Sequence, residues 1–484
     1  MVSAKDIGGM TAVDIAAKVR GKEVSAAEIA DAAIARMEVT EPHLHAFCAP
    51  APDLARKMAA AVDAKIAAGE DAGSLAGVPV GIKDLVCTKD LPTVSGSFIY
   101  EDFTPEHDDI VVERLKAAGA VIMGKTNVPE FGYSGVGHNP VFETTRNPWN
   151  LDRTPGGSSA GSGASVAAGV TPFAIGSDGG GSVRIPAAHS GLYGMKASYG
   201  RVPLWPGTRD ETAPGVSSWE ALECIGPLSR TVADSAAMLE VIAGPDMRDQ
   251  HTLPAADFNW LEAMEGGIKG LRIAYSEDWG YSAVDTEVRE IVRKAVKVFE
   301  TDLGCTVEEA NPGWEDPYGA FWSIVAMESD LKGLRELVKE HGHHMTPHLV
   351  DFINTPWTAE DFTNAVMTRK AVNNKMAAFM QNYDLLLTPT LACAPFGLHM
   401  QGPEKIEGRI VHPFQWLAFT YPINMTGQPA ASIPAGLTAD GLPVGLQIVG
   451  RHLGDATVMR ASAAFEAARP WIDQRPPLVD ELGL

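Results

Sequence analysis

The stretch from 152 to 200 constrains this chain more than any other: DRTPGGSSAGSGASVAAGVTPFAIGSDGGGSVRIPAAHSGLYGMKASYG. Glycine and serine dominate it. Residues 164 to 170 within it are nevertheless apolar and helix-like, so it is not a flexible linker. Clustered glycines permit positive φ and let main-chain N–H groups approach a ligand closely. A phosphate-binding loop requires G-x-x-x-x-G-K-[ST], and no lysine follows the glycine clusters here. A dinucleotide loop requires G-x-G-x-x-G, but after Gly161-Ser162-Gly163 the third glycine is replaced by Val166. Two uses remain, a structural turn and a nucleophile loop.

The nucleophile loop would centre on Gly179-Gly180-Gly181-Ser182, where consecutive N–H groups beside a hydroxyl can hold the oxyanion of a tetrahedral intermediate. A serine hydroxyl needs a base, and histidine is the usual one. His189 lies only seven residues after Ser182, and no spacing ties His138 to it. Both read as structural histidines.

Around this stretch the pattern is α/β. Ser25-Ala26-Ala27-Glu28 is a capping box that opens a helix to about Met37, and a second helix runs from about Leu54 to Ala68 with Gly69 as its stop. Val78 to Ile82 suits a buried strand leading to Lys83. A helix from Asp108 to Ala118, capped by Gly119, leads to a strand from Ala120 to Met123. The rhythm returns as strand 271–275, helix 286–301, strand 306–309 and strand 384–387, with a last helix at 455–468. Helix-glycine-strand units imply a central mixed, mostly parallel sheet covered by helices. The loop from Trp205 to Trp219 reads as an excursion from that sheet.

Composition removes several function classes. The 39 basic and 61 acidic residues give a formal charge of -22, a surface that repels phosphate backbones and anionic lipid. Neither nucleic acid nor a membrane is therefore expected as a partner. Residues 1–20 lack a signal-peptide core, and no apolar run approaches the ~18 to 20 residues of a membrane span. The five cysteines are scattered without C-x-x-C, which suggests neither a disulfide framework nor a zinc site, so a reducing cytoplasm is expected.

The motifs resemble the amidase signature family. They are GIKDLV at 81–86, TPGGSSAGSGASVAAG at 154–169, GSDGGGSVRIPAAHSGLYGMK at 176–196 and LLLTPT at 385–390. NMTGQPAASIPAG and GLPVGLQIVG follow between 424 and 450. The likeness runs from about residue 10 to 470, and GGSS and GGGS stand 24 positions apart (158 to 182), the family's separation. It implies one domain over 1–484. Helices fill about 10–70, the signature core about 75–225, and the remainder completes the same sheet and the cleft.

The resemblance implies a Ser–cis-Ser–Lys triad: Ser182 as nucleophile, Ser158 as bridging serine after a cis Gly157–Ser158 bond, and Lys83 as base. It implies an oxyanion hole from the N–H groups of Gly179, Gly180, Gly181 and Ser182. Ser159, Asp178 and Arg184 become supports of the loop. No metal or organic cofactor enters this scheme. By itself Lys83 would read as a surface lysine at a strand end. As a base it must be neutral, and burial beside Val80, Ile82 and Leu85 would lower its pKa from ~10.4. The chain departs from the family at Ala187-Ala188-His189-Ser190-Gly191, at Gly194-Met195-Lys196-Ala197 and at Gly180, without losing a triad member.

The resemblance implies a small-molecule amide substrate, and homodimers are common in that family. The aromatics Phe131, Tyr133, Phe142 and Trp416 are expected at the substrate cleft. Others near them, Trp149, Phe396, Phe414 and Phe419, divide between cleft and core. Arg146 is the one candidate clamp for a substrate carboxylate. Neutral amides with a hydrophobic or aryl group are therefore expected, with carbamates and esters as related substrates. The same fold serves the glutaminase component of the glutamyl-tRNA amidotransferase, its A subunit, which works within a complex. Residues 194–201, GMKASYGR, match its GLKPTYGR in part, whereas Val202 to Ser217 is unlike it.

Overall fold

The computed structural model describes residues 2–207 and 219–484, so residues 208–218 of the expected loop lie outside the described residues. Among the described residues there are thirteen strands: β1 (Phe47–Pro50), β2 (Pro79–Lys83), β3 (Val121–Thr126), β4 (Phe173–Asp178), β5 (Tyr193–Lys196), β6 (Cys224–Ser229) and β7 (Arg272–Tyr275). They continue with β8 (Thr306–Glu309), β9 (Leu385–Pro389), β10 (Lys405–Ile406), β11 (Arg409–Ile410), β12 (Ala430–Leu437) and β13 (Pro443–Gly450). Eleven of them form one sheet in the order β1-β3-β2-β4-β6-β5-β12-β13-β9-β7-β8, while β10 and β11 pair separately.

The sheet is mixed, as expected, but it is not mostly parallel. β2 runs parallel to β3 and β4, and β7 runs parallel to β8 and β9. The other six pairings within it are antiparallel. The helix-glycine-strand rhythm reads correctly at 108–126 and 271–309, where helices cross between parallel neighbours. In the centre the chain instead doubles back. β12 and β13 form a hairpin, and β6 inserts between β4 and β5. Two-residue or short returns suffice for antiparallel strands and leave no helical signature.

Local rules hold at the element ends. Ser25 and Glu28 close a reciprocal capping box, and Gly69 ends the second long helix in the left-handed conformation. The first long helix extends past Met37 to Leu44, because the apolar face continues to Leu44 and His45 supplies the left-handed cap. Strand β2 is buried along its whole length, which explains its apolar character up to Ile82. Its last residue, Lys83, lies beside Thr126 at the end of β3, near the carboxyl ends of both strands. Ser177 and Asp178 end the neighbouring β4. Among the described residues no helix is long and apolar enough to cross a membrane.

Candidate active site

Lys83 is almost fully buried, and its Nζ reaches Ser158 Oγ at 2.7 Å, Ser177 Oγ at 2.9 Å and Ser177 O at 3.1 Å. Burial lowers its pKa to about 8, against the opposing pull of Glu223 and Asp178. Ser158 stands just before the helix Ala160–Ala167, and the Gly157–Ser158 peptide is cis, as the resemblance implies. Glycine is required at 157, because a Cβ there would meet the carbonyl oxygen of Val136 at 2.5 Å.

Ser182 precedes the helix Arg184–Ser190 and keeps 7% of its surface exposed. Among the described residues its hydroxyl makes no hydrogen bond, so the Lys83–Ser158 link is formed and the Ser158–Ser182 link is open. Ser182 instead borders a small cavity with Gly180, Tyr133, Trp219 and Phe321. Ser158 borders an adjoining one with Gly132, Gly179 and Trp219.

The four expected oxyanion donors do not behave alike. The N–H of Gly181 donates to Asp178 Oδ1 at 2.8 Å and is thus engaged away from the cavity. Gly181 has φ +127°, and a Cβ would strike Thr420 at 2.5 Å, so the turn admits no side chain there. Among the described residues no acceptor takes the N–H groups of Gly179, Gly180 or Ser182.

A buried brace holds this turn. Arg184 donates to Asp178 through Nε at 2.9 Å and Nη2 at 2.8 Å, and to Thr420 O, Gln447 Oε1 and Asn424 Oδ1. Asn424 returns donors to Asp178 O and Oδ1. Burial opposes the Asp178 charge, but the Arg184 guanidinium and hydrogen bonds from Arg184 and Asn424 win, holding the carboxyl well below its usual range. Ser159 accepts from Ser177 N at 3.3 Å and so ties the two loops together. Asn424 and Gln447 went unassigned in the sequence, although both lie in the matching pieces at 424–450. Ser177 lies inside the piece at 176–196 and Glu223 outside every piece, and neither carried a signal of its own.

Next to the Ser182 cavity lies one of about 580 Å³, lined by Tyr133, Tyr318, Trp322, His348, Phe352, Trp357 and Phe414, with Asp351 and Asp361 among its other lining residues. Tyr133, Tyr318, Trp322 and Phe414 border both. Among the described residues no lysine or arginine lines either. Phe131 borders the cavity at Ser158. Two expected cleft residues are elsewhere. Trp416 is fully buried, stacks on His189 and donates its indole N–H to Gln401 O at 2.9 Å. Phe142 sits half-buried in a turn held by Asn139 Oδ1 and borders neither cavity. Arg146 donates to Leu151 O at 3.1 Å and is likewise outside both.

His189 is buried, and burial lowers its pKa to about 4, so it is a neutral packing residue. His138 meets Thr144 and His399.

A large mixed sheet carrying a buried lysine, two serine loops and a glycine turn on neighbouring strand ends defines the amidase signature class. The chain belongs to the Amidase family, which it matches over residues 28–459. It is 39% identical over 476 residues to an acylamidase of Rhodococcus erythropolis, covering 96% of this chain and 97% of that one. It is 35% identical to the A subunit of the glutamyl-tRNA(Gln) amidotransferase of Geobacillus thermodenitrificans, over 94% of this chain and 96% of the relative. The structure of a bacterial aryl acylamidase superposes with a TM-score of 0.89 at 33% identity, covering 98% of each chain. The protein is an amide-hydrolysing enzyme.

Proposed function

We propose that this enzyme hydrolyses neutral amides bearing a hydrophobic or aryl group through an acyl-enzyme on Ser182. Neutral Lys83 accepts the Ser158 proton as Ser158 takes that of Ser182, and the freed Ser182 oxygen attacks the carbonyl carbon. The N–H groups of Gly179, Gly180 and Ser182 hold the oxyanion. Collapse breaks the C–N bond, and the amine leaves with the proton returned from Lys83 through Ser158. Water then attacks the ester by the same relay and frees Ser182. Hydrogen bonds of this kind are commonly loose in an empty site and tighten around substrate, which accommodates the open Ser158–Ser182 link.

One observation carries the substrate reading: the Ser182 cavity adjoins an aromatic chamber without a lining cation among the described residues. Such walls favour an apolar ligand by roughly 25 cal/mol per Å² buried and offer nothing to a carboxylate. Carbamates and esters present the same reacting carbonyl. The identity to the amidotransferase relatives supports a second reading, a glutaminase acting in a complex. A panel of anilides, primary amides, carbamates, esters and glutamine, given to the purified chain alone, separates them. Anilides are expected to show the highest kcat/KM. Glutamine or an anionic amide as best substrate would overturn the reading.

A further inference from the structure

Lys83 Nζ has three hydrogen-bond partners, Ser158 Oγ, Ser177 O and Ser177 Oγ. As an ammonium it donates to all three. As the base of the proposed relay it has two hydrogens and one lone pair, and the lone pair must face Ser158. The carbonyl of Ser177 can only accept, so it takes one hydrogen. The second goes to either hydroxyl, since each can donate or accept. The single proton of the Ser177 hydroxyl decides. If it points to Lys83, the lone pair is taken by Ser177 and the relay is misaligned. If it points away, Ser177 accepts from Lys83 and the lone pair is left for Ser158.

Among the described residues Glu223 is the one carboxylate that borders the cavity of that hydroxyl. It immediately precedes β6, whose Cys224 pairs with Asp178 of β4, and it borders the same small cavity as Ser158 and Ser177. Glu223 is 8% exposed, and the Ser177 hydroxyl stands close enough to its carboxyl group to favour the charged form. A carboxylate only accepts.

We propose that Glu223 is a positioning residue for Lys83: its carboxylate takes the Ser177 hydroxyl proton, which turns the Ser177 oxygen to the amine and aims the lysine lone pair at Ser158. The arrangement repeats, with a serine interposed, the logic by which a third group orients a general base. It rests on the reading of Lys83 as that base. Glu223 also acts through its charge. Among the described residues the charged groups that act on Lys83 are Glu223 and Asp178, and those around Glu223 are Lys83, Asp178, Asp109 and the neighbouring Cys224 thiol. Burial pushes Glu223 up and Lys83 down, while each favours the charge of the other. Removing the carboxylate therefore lowers the Lys83 pKa further.

The test compares pH profiles of kcat and kcat/KM for wild type, Glu223→Gln, Glu223→Leu and Lys83→Ala, with circular dichroism and Tm for each. Glu223→Gln keeps an acceptor oxygen and loses the charge. Its acidic limb is expected to move to lower pH by about half a unit or more, with kcat within about tenfold. Glu223→Leu loses both, and kcat is expected to fall about 10²-fold while KM stays within about threefold. A folded Glu223→Leu with the wild-type kcat and limb overturns the proposal, provided Lys83→Ala abolishes the limb. If Lys83→Ala keeps both limb and rate, the reading of Lys83 as base has failed instead. Should Glu223→Leu not fold, the limb of Glu223→Gln decides: displaced supports the proposal, unmoved overturns it.

Discussion

The floor and the wall of this site are built on opposite plans. The floor consists of Lys83, Ser158, Ser177, Asp178 and Arg184, polar groups buried to within a few per cent of complete. Nearly every one is spent on another, as in the five hydrogen bonds from Arg184. The wall of the large chamber consists of aromatic rings from helices Tyr318–Met327 and Pro347–Asn354 and the segments around them. Those rings meet one another edge to face, as Trp322 meets Tyr318 and Phe414. A hydrogen-bonded network in a dry setting has one arrangement and is expensive to perturb. An apolar wall tolerates exchange at roughly the cost of the surface lost. On the proposed mechanism chemistry belongs to the first region and substrate choice to the second.

The strongest way to break this division is Ser182→Ala. On the proposed mechanism it lowers kcat by about 10⁴-fold or more with Tm unchanged, and a fluorophosphonate labels Ser182 in the wild type. Labelling at another residue would reassign the nucleophile. Asp178→Asn comes next. It leaves the buried Arg184 charge uncompensated, a cost of about 3–5 kcal/mol that chemical denaturation would read. The same pair sets an acid limit. The folded Asp178 pKa lies below its unfolded value of about 3.9, so its stabilisation is complete above that pH and fades as pH falls through the folded pKa. A variant as stable as wild type would show that the brace is dispensable.

The pH dependence of the rate sharpens the role of the floor. Lys83 is lowered to about 8, so the neutral form gains as pH rises. The expected profile climbs about tenfold per unit below the midpoint and levels above it, and Lys83→Arg does not restore it because arginine stays protonated. A flat profile in wild type would remove Lys83 from the base role. In the wall, Trp322→Ala is expected to raise KM for an anilide by about tenfold, roughly 1.4 kcal/mol, while acetamide changes by less than about twofold. Equal losses on both substrates would place Trp322 in the floor's company. The smallest effect is expected from His189→Phe, which keeps a ring against Trp416. Its kcat should stay within about twofold by steady-state assay, since His189 packs and does not titrate in the working range.

The two regions also differ in how much of them the sequence discloses. The floor is written in short contiguous pieces, so Lys83, Ser158, Ser159, Asp178, Ser182 and Arg184 could be named beforehand, and the fold gathers them. Asn424 and Gln447 escaped because nothing local distinguishes an amide that braces an aspartate 246 positions away from one at the surface. The wall has no local code. Trp416 and Trp322 are alike as letters, and only packing sends one into the core beside His189 and the other to the cavity. The sheet divides the same way. Parallel neighbours announce themselves through intervening helices, whereas the antiparallel centre depends on which distant strands meet.

The brace around Arg184 also bears on the timing of biosynthesis. Arg184 Nη1 and Gln447 are 263 positions apart in the chain. At roughly 5–20 residues per second, a ribosome exposes the glycine turn on the order of tens of seconds before the last of its anchors exists. During that interval Asp178 and Arg184 have each other but lack Thr420, Asn424 and Gln447, so the turn is held by its local contacts alone. On the proposed mechanism the growing polypeptide thus carries its nucleophile on an incompletely braced turn until translation has passed the β12–β13 hairpin.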